Sequence, residues 1–249
     1  MSSDLELALR LADAADAVSL PFFRSGLAIE TKPDSTPVTE ADRAVEAELR
    51  GLLAAAHPDD AVLGEEHGTT GRGRRRWILD PIDGTRNYAR GIPVWATLVA
   101  LEESGVVRLG VVSAPALGRR WWAERGSGAF AEGGRIDVSA VGRVENAVLC
   151  FAYEHRLPEL ARRAWHVRGL GDFWAHMLVA EGAVDGAIDA VGVREWDLAA
   201  VQVIVEEAGG RFSDFSGDPR IDRGTAITSN ALLHGELLAA VAEQARANA

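Results

Sequence analysis

The sequence predicts a layered α/β sandwich, and three observations support this fold class. Residues 4–23 and 40–56 have the apolar spacing of amphipathic helices, and β-rich segments follow as far as residue 131. From residue 148 onward, strand and helix patterns alternate. Hydrophobic residues make up 47% of the 249, enough to bury a sizeable core.

We expect two parts. Residues 1–140 should place helices on a mostly antiparallel sheet, with Thr39 as the N-cap of the second helix. The basic, glycine-rich segment 72–76 is expected to be an exposed loop. The strands predicted in this part are 61–63, 77–79, 94–101, 106–113, 119–123 and 129–131.

Residues 141–249 should form the second part, in which helices and strands interleave. The helix that begins near residue 196 should stop at Gly209-Gly210. The predicted strands are 148–151, 184–189 and 226–228, and the predicted helices are 158–164, 172–182, 196–208 and 231–245.

Charge and composition exclude several classes of partner. The net charge of -11 disfavours nucleic acid and anionic membranes, because both would repel the protein. The only cysteine, Cys150, cannot form a disulfide within the chain, which favours a reducing cytoplasm. The N-terminus has no signal-peptide pattern, and no apolar stretch is long enough to span a bilayer. We therefore expect a cytoplasmic enzyme.

The most informative motif is the run from Asp80 to Thr85, Asp-Pro-Ile-Asp-Gly-Thr, which follows an apolar strand. Asp80 should stand at the end of that strand, because Pro81 cannot extend a sheet. A tight turn at Gly84 would let Asp80 and Asp83 converge as hard oxygen ligands for Mg²⁺. Thr85 could open a helix whose free N–H groups suit a phosphate. The alternative is a solvated Asp-Gly turn.

Three further acidic residues indicate a metal site only when they are considered together. Glu65 follows a short apolar strand, although two adjacent glutamates are commonly solvent-exposed surface residues. Asp197 begins a helix, where an acid also stabilises the helix dipole. Asp42 lies in the first turn of a helix, where capping alone would explain it. A site with two metal ions needs several such carboxylates.

Taken together, these motifs resemble the inositol monophosphatase family. The resemblance rests on Gly64-Glu65-Glu66, Asp80 to Thr85, Trp196-Asp197 and the run 206–210, and it covers essentially the whole chain. It implies a five-layer αβαβα sandwich of the inositol monophosphatase/fructose-1,6-bisphosphatase type, usually a homodimer. It also implies two or three Mg²⁺ ions per site, with Mn²⁺ as a possible substitute and Li⁺ as an inhibitor.

The resemblance also assigns roles by position. Glu65 and Thr85 would activate a metal-bound water, with Asp42 assisting a further metal, and Gly84 and Thr85 would hold phosphate. Lys32 matches the family's loop lysine. The implied metal ligands are Glu65, Asp80, the carbonyl of Ile82, Asp83 and Asp197.

Within that family, the stretches 94–101, 110–122 and 171–185 are similar to the histidinol-phosphate phosphatases of actinobacteria. The chain departs from true inositol phosphatases, which carry Gly-x-His-x-Trp-Asp where this sequence has arginine and glutamate before Trp196. The family's sugar-binding acid is also displaced by one position, to Asp189. Substrate contacts are therefore expected at Asp172, Asp189, Arg194 and Asp197, where acids would suit a cationic amine or imidazole.

The sequence thus predicts a Mg²⁺-dependent phosphate monoester hydrolase that acts on a small phosphorylated metabolite. The leading expectation is histidinol-phosphate phosphatase, in histidine biosynthesis. One alternative is a broader phosphatase for inositol, sugar or nucleotide phosphates. The other is an inactive relative that acts as a binding protein, although every expected ligand side chain is present.

Overall fold

Two large β-sheets organise the chain, as seen in a computed structural model that describes residues 1–25, 30–31, 37–152, 157–189 and 192–247. Lys32, expected to match a loop lysine, lies outside the described residues. Across the described ranges, no helix has the length and apolar character needed to cross a membrane.

The first part contains helices α1 (Ser3–Phe22) and α2 (Glu40–Ala56) and an eight-stranded sheet, preceded by the short pair β1 (Glu30–Thr31) and β2 (Pro37–Val38). The sheet order is β10-β9-β8-β7-β6-β5-β3-β4, and every neighbouring pair is antiparallel except β3 with β5. The prediction of a mostly antiparallel sheet is confirmed. Its strands are β3 (Ala61–Gly64), β4 (Gly68–Thr70), β5 (Arg75–Asp83), β6 (Ala96–Glu103), β7 (Val106–Ala114), β8 (Arg119–Glu124), β9 (Gly128–Ala131) and β10 (Gly134–Ile136).

The second part contains a mixed five-stranded sheet in the order β12-β11-β13-β15-β14. A short helix, α3 (Thr85–Ala89), precedes it in the chain. The strands are β11 (Val148–Phe151), β12 (His166–Arg168), β13 (Gly186–Asp189), β14 (Arg211–Ser213) and β15 (Ala226–Ser229). The helices are α4 (Pro158–Arg163), α5 (Asp172–Ala180), α6 (Glu195–Glu207) and α7 (His234–Ala247).

These elements stack in five layers, which confirms the predicted αβαβα sandwich. Helices α1 and α2 cover one face of the large sheet through a buried cluster that includes Leu11, Leu49 and Trp77. Helices α5 and α6 fill the space between the sheets, and α4 and α7 cover the outer face of the small sheet. The largest buried cluster draws on both parts of the chain, from Leu63 to Ala226. The division at residue 140 therefore stays a prediction.

The expected exposed loop at 72–76 is wrong at its C-terminal end. Arg75 and Arg76 begin β5, and both side chains are only partly exposed. Arg75 is paired with Asp4 at 2.9 Å and Asp60 at 3.1 Å, and Arg76 is paired with carboxylates on β6 and α6. Because these acids lie on distant elements, the strand can begin with two charged residues, and local sequence did not reveal it.

Candidate active site

The bulge in β5 brings the two motif aspartates to one place. Asp80 pairs with Leu98 and Asp83 pairs with Ala96, so two residues of β5 lie opposite one residue of β6. In a regular strand, residues three apart point to opposite faces, and one extra residue restores them to the same face. The expectation that the strand ends at Asp80 is therefore wrong. The strand continues past Pro81, whose carbonyl accepts a 2.7 Å hydrogen bond from Thr97 Oγ1.

Helix α6 completes the acidic cluster by adding Asp197 from its first turn. Carboxylate oxygens of Asp80, Asp83 and Asp197 all lie within 4.8 Å of one another. The three side chains line a cavity of about 500 Å³, together with Glu65 at the end of β3 and Ile82 of the bulge. The structure therefore brings together all five residues predicted as metal ligands.

The environment of the cluster opposes negative charge. Burial, followed by the charge of Glu65, raises the pKa of Asp80 well above its usual value. Burial, followed by the charge of Asp172, also raises the pKa of Asp83 well above its usual value. The hydrogen bond that Asp83 accepts from the Phe173 amide opposes this rise. Burial raises the pKa of Asp197 to about 7. Carboxylates forced together in this way need either protons or a bound cation.

The donor set fits a hard divalent cation. Asp80 is 1% exposed, yet its Oδ1 atom has no hydrogen-bond partner among the described residues. A buried carboxylate oxygen with no donor is costly unless something not yet present satisfies it. All the candidate ligands are oxygen atoms, the type that Mg²⁺, Ca²⁺ and Mn²⁺ prefer.

Thr85 stands beside the cluster at the start of α3. Its Oγ1 lies 3.0 Å from the carbonyl oxygen of Ile82 and 3.3 Å from Oδ1 of Asp42. Asp42 is buried in the first turn of α2, and its Oδ2 accepts hydrogen bonds of 2.8 Å from the Thr39 amide and 2.5 Å from the Thr39 hydroxyl. Asp42 therefore lies behind Thr85, outside the cavity wall, and it takes the predicted place in the capping box.

Gly84, between Asp83 and Thr85, also lines the cavity. Its φ of 81° lies in the left-handed region that favours glycine. A Cβ atom here would come within 3.1 Å of the Val94 carbonyl and 3.4 Å of an Asp172 carboxylate oxygen. Any side chain at this position would therefore be both strained and crowded by the protein itself.

The predicted specificity residues divide into two groups. Asp172 and Asp189 line the main cavity. Asp172 is accessible from the cavity, but the surrounding protein still raises its pKa, an effect that Arg86 opposes. Arg194 instead lines a neighbouring cavity of about 340 Å³, which shares Glu65, and its backbone amide donates to Asp197.

Sequence reasoning missed three polar side chains of the described cavity wall, namely those of Arg86, Asn87 and His176. Arg86 is the one arginine or lysine among the described lining residues, and its place directly after Thr85 could have signalled an anion contact. His176 lies one helical turn after Asp172, a spacing that also could have identified it. Burial lowers the pKa of His176 to about 4, so its imidazole, 2.8 Å from Thr228 Oγ1, is neutral near pH 7.

Comparisons with known proteins agree with this geometry. A model of the inositol monophosphatase family matches residues 1–247. The chain is 50% identical over 252 positions to a histidinol-phosphatase of Mycobacterium tuberculosis, covering 94% of this chain and 96% of that protein. It is 49% identical over 256 positions to a histidinol-phosphatase of Streptomyces coelicolor, covering 94% and 95%. The solved IMPase of Thermotoga maritima superposes with a TM-score of 0.90 at 33% identity, covering 98% and 99%.

The family match extends over nearly the whole chain, and the fold is that of solved relatives. The family is metal-dependent, and the three clustered aspartates could hold a metal ion. On this evidence, the chain belongs to the inositol monophosphatase family.

Proposed function

We propose that this protein is a Mg²⁺-dependent histidinol-phosphatase, which hydrolyses L-histidinol phosphate to L-histidinol and phosphate. The observation that carries the proposal is the cluster of Asp80, Asp83 and Asp197 at the base of a cavity with further acids on its wall. The two relatives named histidinol-phosphatase, at about half identity over most of the chain, support this substrate.

In this proposal, Glu65, Asp80, Asp83, Asp197 and the Ile82 carbonyl hold two or three Mg²⁺ ions. Bound Mg²⁺ lowers the pKa of a coordinated water and neutralises charge on the phosphate and the leaving oxygen. The unpartnered Oδ1 of Asp80 and the raised pKa values of the three aspartates support this assignment. Mn²⁺, which takes the same oxygen ligands, should substitute for Mg²⁺, and Li⁺ should inhibit.

The chain's own side chains orient the attacking water. Thr85 can accept a hydrogen bond from that water while its hydroxyl donates to Asp42 or to the Ile82 carbonyl. Glu65, from the neighbouring strand end, holds the water from a second direction. The Gly84 and Thr85 amides face the phosphate, and Asp197 lies beside the leaving oxygen. No covalent intermediate is needed, because the contribution is positioning and charge neutralisation.

The wall of the cavity suits a substrate that combines a phosphate with a cation. Histidinol phosphate carries a primary amine and an imidazole besides its phosphate. Asp172 and Asp189 offer carboxylates to the cationic end, and Arg86 offers a guanidinium to the phosphate end. Inositol phosphate has no positive charge, so these acids could accept hydrogen bonds from its hydroxyl groups but could not form an ion pair with it.

The test is a comparison of kcat/KM for histidinol phosphate, inositol-1-phosphate and fructose-1,6-bisphosphate, each with Mg²⁺ and with EDTA. We expect phosphate release only with Mg²⁺ and a clear preference for histidinol phosphate. Equal rates on all three would reject the substrate but keep the phosphatase. No release from any monoester would favour the binding-protein alternative.

A second candidate is an inositol-phosphate or sugar-phosphate phosphatase, which the high structural similarity to the Thermotoga maritima IMPase favours. The same comparison decides between the two.

We also propose that the protein is a cytoplasmic homodimer. The family resemblance supports the dimer, and Trp165, 71% exposed beside strand β12 at the edge of the small sheet, would be covered if this edge forms the contact. Light scattering would measure the mass in solution.

A further inference from the structure

A buried carboxylate on α2, that of Glu46, lies directly behind the strand end that carries Glu65. The Glu46 residue is 0% exposed. Its Oε2 accepts a 2.7 Å hydrogen bond from the Glu66 amide, and its Oε1 accepts a 3.1 Å bond from the His67 amide. The side chain therefore holds the backbone of the turn between β3 and β4, immediately after Glu65.

Arg50 extends this hold to the rest of the turn. Its Nε donates a 2.7 Å hydrogen bond to Oε1 of Glu46, one helical turn away. The other guanidinium nitrogens reach the carbonyl of Gly68 at 2.5 Å and the hydroxyl of Thr70 at 2.8 Å. His67 Nδ1 also lies 3.2 Å from Glu46. A buried carboxylate paired and hydrogen-bonded in this way restrains the backbone around it, because losing any of these partners would leave a buried charge without compensation.

Gly64 shows how closely the carboxylate approaches the strand. A Cβ atom on Gly64 would lie 2.3 Å from Oε1 of Glu46 and 2.8 Å from Oε2. Any larger residue would have to displace the carboxylate from the turn. The motif Gly-Glu-Glu therefore carries a glycine because Glu46 occupies the space beside it.

The same face of α2 also reaches the other side of the active site. Asp42 precedes Glu46 by four residues and contacts the Thr85 hydroxyl at 3.3 Å. Asp42, Glu46 and Arg50 thus form one row along the helix, at intervals of one turn. Asp42 contacts Thr85, whereas Glu46 and Arg50 contact the turn that follows Glu65.

We propose that Glu46 is a positioning residue for Glu65: it holds the Gly64–Gly68 turn so that Glu65 keeps a fixed distance from Thr85. The proposal rests on the proposed function, in which Glu65 and Thr85 orient the same water. Glu46 touches neither substrate nor metal, and it acts only through the turn. Residues that orient a ligand in this way affect metal affinity or activity by about 10–100-fold when they are removed.

The test is Glu46→Gln in the full-length protein, with Glu48→Gln as the matched control. Glutamine keeps the size and one acceptor oxygen but removes the charge, whereas Glu48 is exposed on the same helix. We expect Glu46→Gln to lower kcat about 10–100-fold, with KM changed little, and to weaken Mg²⁺ binding in a calorimetric titration. Amide exchange in the metal-free protein should accelerate at Glu66 and His67, but not throughout α2.

A purely structural role predicts a different pattern, in which exchange rises across α2 and β3 while kcat of the folded fraction is unchanged. That result, or agreement with Glu48→Gln in every measurement, overturns the proposal. If Glu46→Gln does not fold, Gly64→Ala provides the second test, because its methyl group displaces the same carboxylate. Gly64→Ala must then reproduce the local exchange and weaker Mg²⁺ binding. Amide exchange and Mg²⁺ binding can be measured without turnover. If the wild type proves inactive, the proposed function is rejected, but these two measurements still test the role of Glu46.

Discussion

The backbone amide of Phe173 donates a 2.6 Å hydrogen bond to Oδ2 of Asp83, which joins the start of α5 to the bulge in β5. The bond connects the two parts of the chain at the acidic cluster itself. Asp172, just before it, has a φ of 55° and places its carboxylate on the cavity wall. The proposed metal ligand Asp83 and the proposed substrate contact Asp172 are therefore fixed relative to each other by one backbone junction.

Asp83→Asn should remove activity and keep the fold. Asparagine retains a carbonyl oxygen for the Phe173 amide, but it removes a charge that the proposed cations need. We expect kcat to fall on the order of 10³-fold or more. Phosphate release under saturating Mg²⁺ measures this, and circular dichroism checks the fold. Asp59→Asn, an exposed position, is the control. Near-wild-type turnover in Asp83→Asn would remove Asp83 from the metal site.

The metal-free protein should lose stability as the pH rises. The pKa of Asp197 is raised from 3.8 to about 7, and that of Asp80 is also raised, so the folded state holds protons more tightly than the unfolded chain. The stabilising contribution of Asp197 is complete below the unfolded pKa of 3.8 and is lost as the pH rises to about 7, and that of Asp80 is lost as the pH rises through its own raised pKa. Unfolding temperatures in EDTA at several pH values between these limits would measure the decline.

Two comparisons isolate the cluster in that experiment. Asp80→Asn mimics a protonated acid, so its unfolding temperature should fall less with pH than that of the wild type. Mg²⁺ should restore stability most at the higher pH, where it does not compete with protons. Identical pH dependence in the variant and the wild type would show that the cluster does not govern stability.

Local patterns predicted part of the fold and part of the cluster. Apolar periodicity identified the helices, and the run from Asp80 to Thr85 predicted that Asp80 and Asp83 converge, whereas only the family resemblance placed Glu65 and Asp197 with them and implied five layers. The bulge was not predictable, because Pro81 reads as the end of a strand. Only the pairing of Asp83 with Ala96 on β6 and the hydrogen bond from the Thr97 hydroxyl show that β5 continues.

The missed strands and side chains depend on distant partners. Strands β4, β10, β12 and β14 have three residues each and lie at the four edges of the two sheets. Such short segments carry no periodicity, so only the neighbouring strand defines them. Glu46 reads as an ordinary acid on an amphipathic helix, and its burial follows from the turn that folds over it.

Arg86→Gln should weaken substrate binding more than it slows the chemistry. Arg86 is exposed at the cavity wall, so the proposed attraction to the phosphate would be partly screened by water. We expect KM to rise about tenfold, equivalent to roughly 1.4 kcal/mol, with kcat changed less. Steady-state kinetics would measure both. Arg90→Gln, an exposed arginine on the same short segment, should behave as the wild type. A KM equal to that control would exclude Arg86 from phosphate binding.

Asp172→Asn should change which substrate the enzyme prefers. Asparagine tolerates the left-handed backbone that Asp172 adopts at φ 55°, so the change removes charge without adding strain. An acid facing the amine of histidinol phosphate gives an attraction that inositol-1-phosphate cannot use. We expect kcat/KM for histidinol phosphate to fall about tenfold or more, and that for inositol-1-phosphate to change little. Equal losses on both substrates would place Asp172 in support of Asp83 rather than in recognition, because the two share the junction at Phe173.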